Sequence, residues 1–240
     1  RTPHVTDRTP AERLIVALDV GDLDQAARIV GLLSPHVGWF KVGSVLFTRA
    51  GAEVCRLVKE SGAKLFLDLK FHDIPNTVRG AVRSALGLDV DMLTLHTSGG
   101  GVMLEAAVQA KEEAGKQTLL VGVTVLTHLT FDDFHSLFAT ERAPQDTMIA
   151  LSGIAAASGL DGVVASAREA ALIKEHRGGA FVVVSPGIRM PEGSKDDQAR
   201  VVTPRQAIEN GSDYLVVGRP IIANADPVGA CQRILDNMLP

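Results

Sequence analysis

Ionisable side chains lie near the C-terminal ends of three short apolar segments. Asp19 ends the first segment, Lys41 stands in the second, Asp68 and Lys70 stand in the third, and Asp73 follows three residues later. Alternate residues of a strand face opposite sides, so the four strand residues fall on the face opposite the neighbouring leucines and valines. Burying such charges is costly unless they are paired. The pattern indicates either a structural ion-pair network or a site whose fixed charges stabilise a charge that develops in a transition state.

No activated serine or cysteine nucleophile accompanies these charges. Lys41, Asp68, Lys70 and Asp73 would instead alternate positive and negative charge around one small volume. Asp19 and Asp68 offer two carboxylates to a divalent ion, but no cluster of His, Asp and Glu has an obvious metal-site spacing. We therefore expect no metal at this site.

A second group of residues suits an anionic ligand. The apolar run Tyr214–Val217 is followed by Gly218 and Arg219 at the start of a helical pattern. A glycine lets the backbone approach a ligand, and the following amides and Arg219 can bind a phosphate. His96 ends another apolar run ahead of three glycines, and His72 follows the third charged segment. A packing role suits these two rings as well as a catalytic one.

Eight short β-branched runs alternate with segments of helical periodicity, which predicts an α/β fold with a parallel sheet. The runs are Leu14–Asp19, Val37–Val42, Lys64–Lys70, Met92–His96, Thr118–Thr124, Gly162–Ala165, Phe181–Val184 and Tyr214–Val217. The helical segments are Leu23–Leu33, Ala52–Ser61, Thr77–Leu86, Val102–Ala114, Asp146–Ser158, Arg168–His176, Pro204–Asn210 and a last one over about Pro227–Met238. A single (β/α)8 TIM barrel is the simplest closed arrangement, with its active site at the C-terminal ends of the strands. A doubly wound open sheet is the alternative.

Length and composition agree with one barrel domain. The chain has 240 residues, 46% of them hydrophobic, and a net charge of −4. This excludes a disulfide-stapled or disordered chain and offers no global field for nucleic acid or anionic lipid. We expect the catalytic barrel over residues 14–240 and a polar tail over residues 1–13, without the apolar region of a signal peptide. Because no run approaches 18 apolar residues, we expect a cytoplasmic protein that binds neither membrane nor nucleic acid.

One connection is longer than the others. Ser185–Arg200 contains two glycines, two prolines and six charged residues. Loops of this length in a compact domain are usually functional or disordered. Because it follows the seventh strand at the expected active-site end, it is predicted to be a mobile lid, with a tolerated surface insertion as the alternative.

The segment Leu67–Thr77 resembles the signature of the orotidine 5′-phosphate decarboxylase family, Asp-x-Lys-x-x-Asp-Ile-Pro-x-Thr. Further matches follow in the family's order at Ala17–Asp19, Phe40–Gly43, His96–Gly100, Val125–Thr127, Ser185–Arg189 and Val217–Ile221. The resemblance implies conversion of orotidine 5′-monophosphate to UMP and carbon dioxide, the last step of de novo UMP synthesis, without a cofactor. It also implies a homodimer with shared active sites.

The resemblance further implies a role for each matching residue. Lys70 would donate a proton to the pyrimidine carbon that loses its carboxylate, and Lys41, Asp68 and Asp73 would complete the charged network. Substrate contacts would come from Asp19 and Lys41 at the ribose, Thr127 at the pyrimidine, Arg189, Gln198, Gly218 and Arg219 at the phosphate, and Asp73, Ile74 and Thr77 in the neighbouring chain's site. Thr97 stands where many family members carry alanine, and it is given no role.

The mechanism expected from the resemblance rests on charge. Loss of carbon dioxide would leave a vinyl carbanion, because the ring offers no electron sink at that carbon. The ammonium of Lys70 would stabilise this carbanion and then protonate it. Very slow uncatalysed reactions need a barrier reduction of roughly 20 kcal/mol, so binding energy from the phosphate, delivered through lid closure, would supplement the lysine.

Two other functions stay open at this point. Sugar-phosphate enzymes of the same barrel group, such as 3-keto-gulonate 6-phosphate decarboxylase and hexulose-phosphate synthase, resemble the Asp-x-Lys-x-x-Asp run. They use a magnesium-bound enediolate and carry an acidic metal ligand at the end of the second strand, where this chain has Lys41. A non-catalytic binder of nucleotide phosphates would have no need of all four charged residues.

Overall fold

The chain forms a closed barrel of eight parallel strands. The computed structural model describes residues 8–126, 128–190 and 202–239. The strands are β1 (Leu14–Ala17), β2 (Trp39–Gly43), β3 (Lys64–Phe71), β4 (Met92–His96), β5 (Leu119–Val123), β6 (Gly162–Val164), β7 (Val182–Ser185) and β8 (Tyr214–Val217). Each strand pairs with the next, and β8 closes the sheet on β1. The predicted TIM barrel is therefore confirmed, and the alternative of a doubly wound open sheet is wrong.

Helices connect the strands and cover the barrel. They are α1 (Pro10–Arg13), α2 (Leu23–Leu33), α3 (Ser44–Ala50), α4 (Ala52–Glu60), α5 (Pro75–Leu86), α6 (Gly101–Glu113), α7 (Phe131–Phe138), α8 (Pro144–Ala157), α9 (Ala170–Arg177), α10 (Pro204–Glu209), α11 (Arg219–Ile222) and α12 (Pro227–Asn237). The eight longer predicted helical segments are present with shifts of one or two residues at their ends. The additional helices α1, α3, α7 and α11 are at most eight residues long, and the sequence did not predict them. None of the helices in the described ranges has the length and apolar character needed to cross a bilayer.

The strands separate two apolar layers. Side chains that point outward pack under the helices, among them Leu65 and Leu67 of β3. Side chains that point inward fill the barrel, and they are Ile15, Ala17, Trp39, Phe66, Met92, Val121, Val182, Val184, Tyr214 and Val216. The predicted alternation of faces in β1, β2 and β3 is therefore confirmed. The inner layer ends below the C-terminal ends of these strands, where the charged side chains begin.

One polar arrangement recurs three times at the N-terminal end of the barrel. In each case an aspartate stands directly before an even-numbered strand and accepts a hydrogen bond from a backbone N–H of the odd-numbered strand that precedes it. The same aspartate pairs with a lysine of the helix that leads into this odd-numbered strand. The three sets are Asp91 with Leu65 and Lys59, Asp161 with Leu120 and Lys111, and Asp213 with Val183 and Lys174, with all six distances between 2.6 and 2.8 Å. Each set ties two strands and one helix together, far from the charged residues at the opposite end.

Residues 10–13, placed by the sequence in the polar tail, form α1 and close the same end. The Thr9 and Glu12 side chains and backbones form a capping box that starts this helix. Arg13 donates to the backbone oxygens of Ser212 and Asp213 at 2.8 and 3.0 Å. These contacts fix the start of the chain to the turn before β8.

Candidate active site

Four charged side chains form a continuous ion-paired row at the C-terminal end of β1, β2 and β3. Lys41 Nζ lies 3.5 Å from Asp19 Oδ1 and 3.4 Å from Asp68 Oδ2. Lys70 Nζ lies 2.9 Å from Asp68 Oδ1. The row therefore alternates in sign in the order Asp19, Lys41, Asp68, Lys70. The structure brings together the strand residues that the sequence singled out.

Burial decreases toward both ends of this row. Only 12% of the side-chain surface is exposed in both Lys41 and Asp68, against 37% in Lys70 and 55% in Asp19. All four residues line one cavity of about 360 Å³ that opens at the end of the barrel. A ligand in this cavity would meet the ammonium of Lys70 beside the buried carboxylate of Asp68.

Asp68 carries a fixed negative charge. Burial alone would raise the pKa of its carboxyl, but the charges of Lys41 and Lys70 and hydrogen bonds from Lys70 and Thr94 hold this pKa below its ordinary value. The carboxylate thus stays ionised in a water-poor setting, where a fixed charge acts strongly on a ligand. A carboxylate of the ligand placed against it would be repelled.

Two glycines make room for the charged row. A Cβ atom on Gly218, at the end of β8, would lie 3.0 Å from Asp19 Oδ2. A Cβ atom on Gly43, at the end of β2, would lie 3.1 Å from Lys41 Nζ. Both contacts are tighter than carbon atoms usually make with oxygen or nitrogen, so any larger residue would displace the charged groups. The absence of a side chain at Gly218 thus leaves room for the Asp19 carboxylate, besides the predicted contact of Gly218 with phosphate.

A second cavity at the same end suits an anion. Its volume is about 530 Å³, and Arg189 after β7 and Arg219 after β8 both line it. Asn224 and Arg233 line the same cavity, and the carboxylate residues are absent from its described lining. A phosphate dianion there would be held by charge-assisted hydrogen bonds from guanidinium groups. Two of the predicted phosphate ligands are therefore placed together, and Arg233 on α12 is a neighbour that the sequence did not single out.

Comparisons with known proteins agree with this geometry. Residues 12–234 match the family described as orotidine 5′-phosphate decarboxylase / HUMPS. The orotidine 5′-phosphate decarboxylase of Moorella thermoacetica is 46% identical over 228 residues, which cover 93% of this chain and 90% of that protein. The enzyme of that name from Carboxydothermus hydrogenoformans is 47% identical over 232 residues, covering 95% and 96%. This chain belongs to the orotidine 5′-phosphate decarboxylase / HUMPS family.

Solved structures give the same result for the fold. The crystal structure of orotidine 5′-phosphate decarboxylase from Lactobacillus acidophilus matches with a TM-score of 0.85 and 35% identity, over 95% of this chain and all of that one. An uncharacterized conserved protein from Geobacillus kaustophilus matches with a TM-score of 0.83 and 34% identity, over 94% and 100%. The family predicted from the Asp-x-Lys-x-x-Asp-Ile-Pro-x-Thr run is confirmed, and with it the expectation of a decarboxylase of this family with a TIM barrel.

The last part of the family signature makes no ion pair with the charged row in the described residues. Asp73, Ile74 and Thr77, at the start of α5, are exposed. Asp73 Oδ1 accepts a hydrogen bond from the N–H of Ile74 at 2.6 Å, and no ion pair joins it to another described residue. Three of the four residues expected around one small volume therefore meet within one chain, and Asp73 does not join them. Thr127 and Gln198 lie outside the described residues, as does the part of the predicted lid over residues 191–200.

Two further residues lie beside the charged row: Thr94, which escaped the sequence analysis, and His96, which the sequence left between a packing and a catalytic role. Thr94 of β4 is completely buried and donates to Asp68 Oδ1 at 2.9 Å. Its signal was a single hydroxyl at an inward position of an apolar strand, which also suits ordinary packing. The ring of His96 lies 5.2 Å from that of His72, and burial, His72 and Lys70 lower the pKa of His96. The lowered pKa disfavours a positive charge on His96 beside Lys70.

Proposed function

We propose that this chain decarboxylates orotidine 5′-monophosphate to UMP and carbon dioxide, a step of pyrimidine biosynthesis, and that Lys70 supplies the proton. The observation that carries the proposal is the ion pair of Lys70 with the buried Asp68, next to Lys41 and at the same barrel end as an arginine-lined cavity. This arrangement combines a proton donor, a fixed negative charge and a phosphate site. Each of the three is needed for the reaction.

The chemical step uses the Lys70 ammonium. The bond between the ring carbon and the carboxylate breaks, carbon dioxide leaves, and the electron pair stays on the ring carbon. Lys70 stabilises this carbanion electrostatically and then transfers a proton to it. The partly exposed amine regains a proton from solvent, which restores the ammonium for the next turnover.

Asp68 contributes in two ways. It holds Lys70 Nζ at 2.9 Å, which orients the proton donor. As a buried carboxylate it also repels the carboxylate of the substrate, and this repulsion is relieved when carbon dioxide forms. Lys41, which contacts Asp68 and Asp19 together, keeps the row close to neutral and, with Asp19, binds the ribose hydroxyls.

Substrate binding is distributed over the ends of the other strands. Arg189 and Arg219 bind the phosphate together with Gly218 and Gln198, and Thr127 contacts the pyrimidine. The phosphate is remote from the reacting carbon, so its binding energy acts on catalysis only if it orients the rest of the substrate. The exposed guanidinium groups around one cavity support this assignment.

The site is completed by a second copy of the chain. Asp73, Ile74 and Thr77 reach into the neighbouring chain's site, where Asp73 joins Lys70 of that chain. Three large apolar residues support an interface beside this segment, because Val45, Ile74 and Val102 are exposed by 72%, 67% and 69%. In a two-fold symmetric dimer both sites receive the same contribution.

The proposed reaction needs no metal ion. The two carboxylates that could share a divalent ion, those of Asp19 and Asp68, are both paired with the Lys41 ammonium. A dication would be repelled by this lysine, which disfavours the magnesium-dependent sugar-phosphate reactions of the wider family. We therefore expect a cofactor-independent enzyme.

A spectrophotometric assay with orotidine 5′-monophosphate tests the proposal. Turnover should be seen with the purified protein and should persist after exhaustive treatment with EDTA, because the charged row leaves no place for a dication. Absence of turnover would indicate a non-catalytic phosphate binder. Loss of activity in EDTA that magnesium restores would favour an enediolate mechanism instead.

A further inference from the structure

The backbone around the proposed proton donor departs from regular strand geometry. Between β3 and β4, Leu67 lies opposite Leu93 and Phe71 lies opposite Leu95. Three residues of β3, from Asp68 to Lys70, therefore stand opposite Thr94 alone, which makes a bulge in the ladder.

Lys70 itself has a left-handed backbone. Its φ is 50°, an uncommon value for a residue with a side chain. Such a conformation persists only where the surroundings fix it. In this bulge the backbone N–H of Lys70 has lost its ladder partner, so another acceptor has to hold it.

The Thr94 hydroxyl is that acceptor. Lys70 N donates to Thr94 Oγ1 at 2.9 Å, and Thr94 Oγ1 donates to Asp68 Oδ1 at 2.9 Å. Asp68 Oδ1 is also the oxygen that Lys70 Nζ contacts at 2.9 Å. Thr94 is 0% exposed, so water cannot replace either hydrogen bond.

We infer that Thr94 is a positioning residue of the reaction: its buried hydroxyl fixes the left-handed backbone of Lys70 and the carboxylate of Asp68 in one hydrogen-bonded ring. The inference rests on the proposed function, since it assigns to Thr94 the alignment of that proton donor. The hydroxyl uses both of its capacities, as acceptor from the backbone and as donor to the carboxylate. A residue without a hydroxyl can supply neither.

The test compares Thr94→Val, which keeps the shape and removes the hydroxyl, with Thr94→Ser, which keeps the hydroxyl. Misplacing a catalytic group by about 1 Å costs on the order of 100-fold in rate, so we expect kcat of Thr94→Val to fall by about 10- to 100-fold. KM should stay within about 2-fold, because the phosphate site is untouched. Thr94→Ser should recover kcat to within about 3-fold of wild type by the same reasoning.

Thr118→Val is the matched control. Thr118 is a buried threonine like Thr94, but it stands directly before β5. Its hydroxyl donates to the Val90 oxygen at 2.7 Å, away from the charged row. This variant should lose stability but keep kcat. Wild-type kcat in Thr94→Val, or an equal loss of kcat in both valine variants, would overturn the inference. If Thr94→Val does not fold, Thr94→Cys, whose thiol is a weak donor and acceptor, should show an intermediate kcat, and wild-type kcat there would overturn it.

A structural measurement separates this inference from the proposed function. In a crystal structure of Thr94→Val or Thr94→Cys, the φ of Lys70 should leave the left-handed region and the contact of Lys70 Nζ with Asp68 should lengthen. An unchanged Lys70 would overturn the inference whatever the activity. A wild-type protein that does not turn over orotidine 5′-monophosphate, combined with a displaced Lys70 in the variant, would refute the proposed function and support the positioning role.

Discussion

At the scale of single residues, the charged side chains of the candidate site differ in how deeply they are buried. Asp68 and Lys41 are largely buried, with 12% of each side chain exposed, whereas 37% of the Lys70 side chain is exposed. The residue types and their inward direction could be predicted from the sequence, because strand alternation fixes them. The left-handed backbone of Lys70 and the hydroxyl beneath it could not, since they depend on how two strands meet.

His96 leads to a prediction about acid stability. Its pKa is lowered in the folded protein, mainly by burial and by the charges of His72 and Lys70. The folded state therefore resists protonation while the unfolded state accepts it, so the contribution of His96 is present above the unfolded pKa of about 6.5 and is lost as the pH falls below it. Urea unfolding measures how far the free energy of unfolding falls between about pH 7.5 and about pH 5. This fall should be smaller for His96→Gln than for wild type. An equal fall in the two proteins would show that His96 does not cause this loss of stability at low pH.

Arg219 leads to a prediction about remote binding energy. Removing its charge-assisted contact should lower kcat/KM for the nucleotide by about 10- to 100-fold, because hydrogen bonds to charged groups contribute about 1.5–3 kcal/mol. With orotidine, which lacks the phosphate, Arg219→Ala and wild type should differ little. Arg56→Ala, which removes an exposed arginine on α4, serves as the control for loss of one positive charge. An equal loss on both substrates would show that Arg219 acts through the fold.

At the scale of elements, the sequence predicted the long helices and strands because each carries a sustained apolar pattern. The helices α3 and α11 were missed, since their seven and four residues carry only a weak periodic pattern. The bulge in β3 was missed for another reason: a register shift is a property of two strands, and β3 alone reads as a regular strand. The three aspartate sets at the other end were also missed, because their partners lie 26 to 50 residues apart in the chain.

The middle aspartate set gives a stability prediction. Asp161 accepts from Leu120 N and pairs with Lys111 at 2.7 and 2.8 Å. Asp161→Ala should lower the free energy of unfolding by about 2 kcal/mol, because a buried N–H and an ammonium lose their partner. Its kcat should match wild type, as the set lies at the end of the barrel opposite the charged row. Glu113→Ala, which breaks the more exposed pair with Arg79, should cost less stability, because solvent screens exposed ion pairs. If both variants lost a comparable free energy of unfolding, burial would not explain the larger contribution expected of the Asp161 contacts.

At the scale of the whole molecule, the structure of one chain brings together three of the four charged residues expected around one volume. Lys41, Asp68 and Lys70 meet at the barrel end, while Asp73 is exposed and makes no ion pair with another described residue. The family signature contains Asp68, Lys70 and Asp73 in one short stretch, so the sequence alone suggested that these three and Lys41 surround one volume. Asp73 lies between the end of β3 at Phe71 and the start of α5 at Pro75, and it is absent from the described lining of the cavity that the other three share. The proposed shared site would obtain its second carboxylate, Asp73, from a partner chain.

Mixing two inactive variants tests this central claim most directly. Homodimers of Lys70→Ala and of Asp73→Ala should each be almost inactive, because each lesion is present in both sites. After dissociation and random reassociation of equal amounts, about half of the dimers are mixed, and each mixed dimer has one site with both residues intact. The mixture should therefore recover about a quarter of wild-type turnover of orotidine 5′-monophosphate, with separately tagged chains to verify exchange. Mixed dimers that form and stay inactive would contradict the shared site.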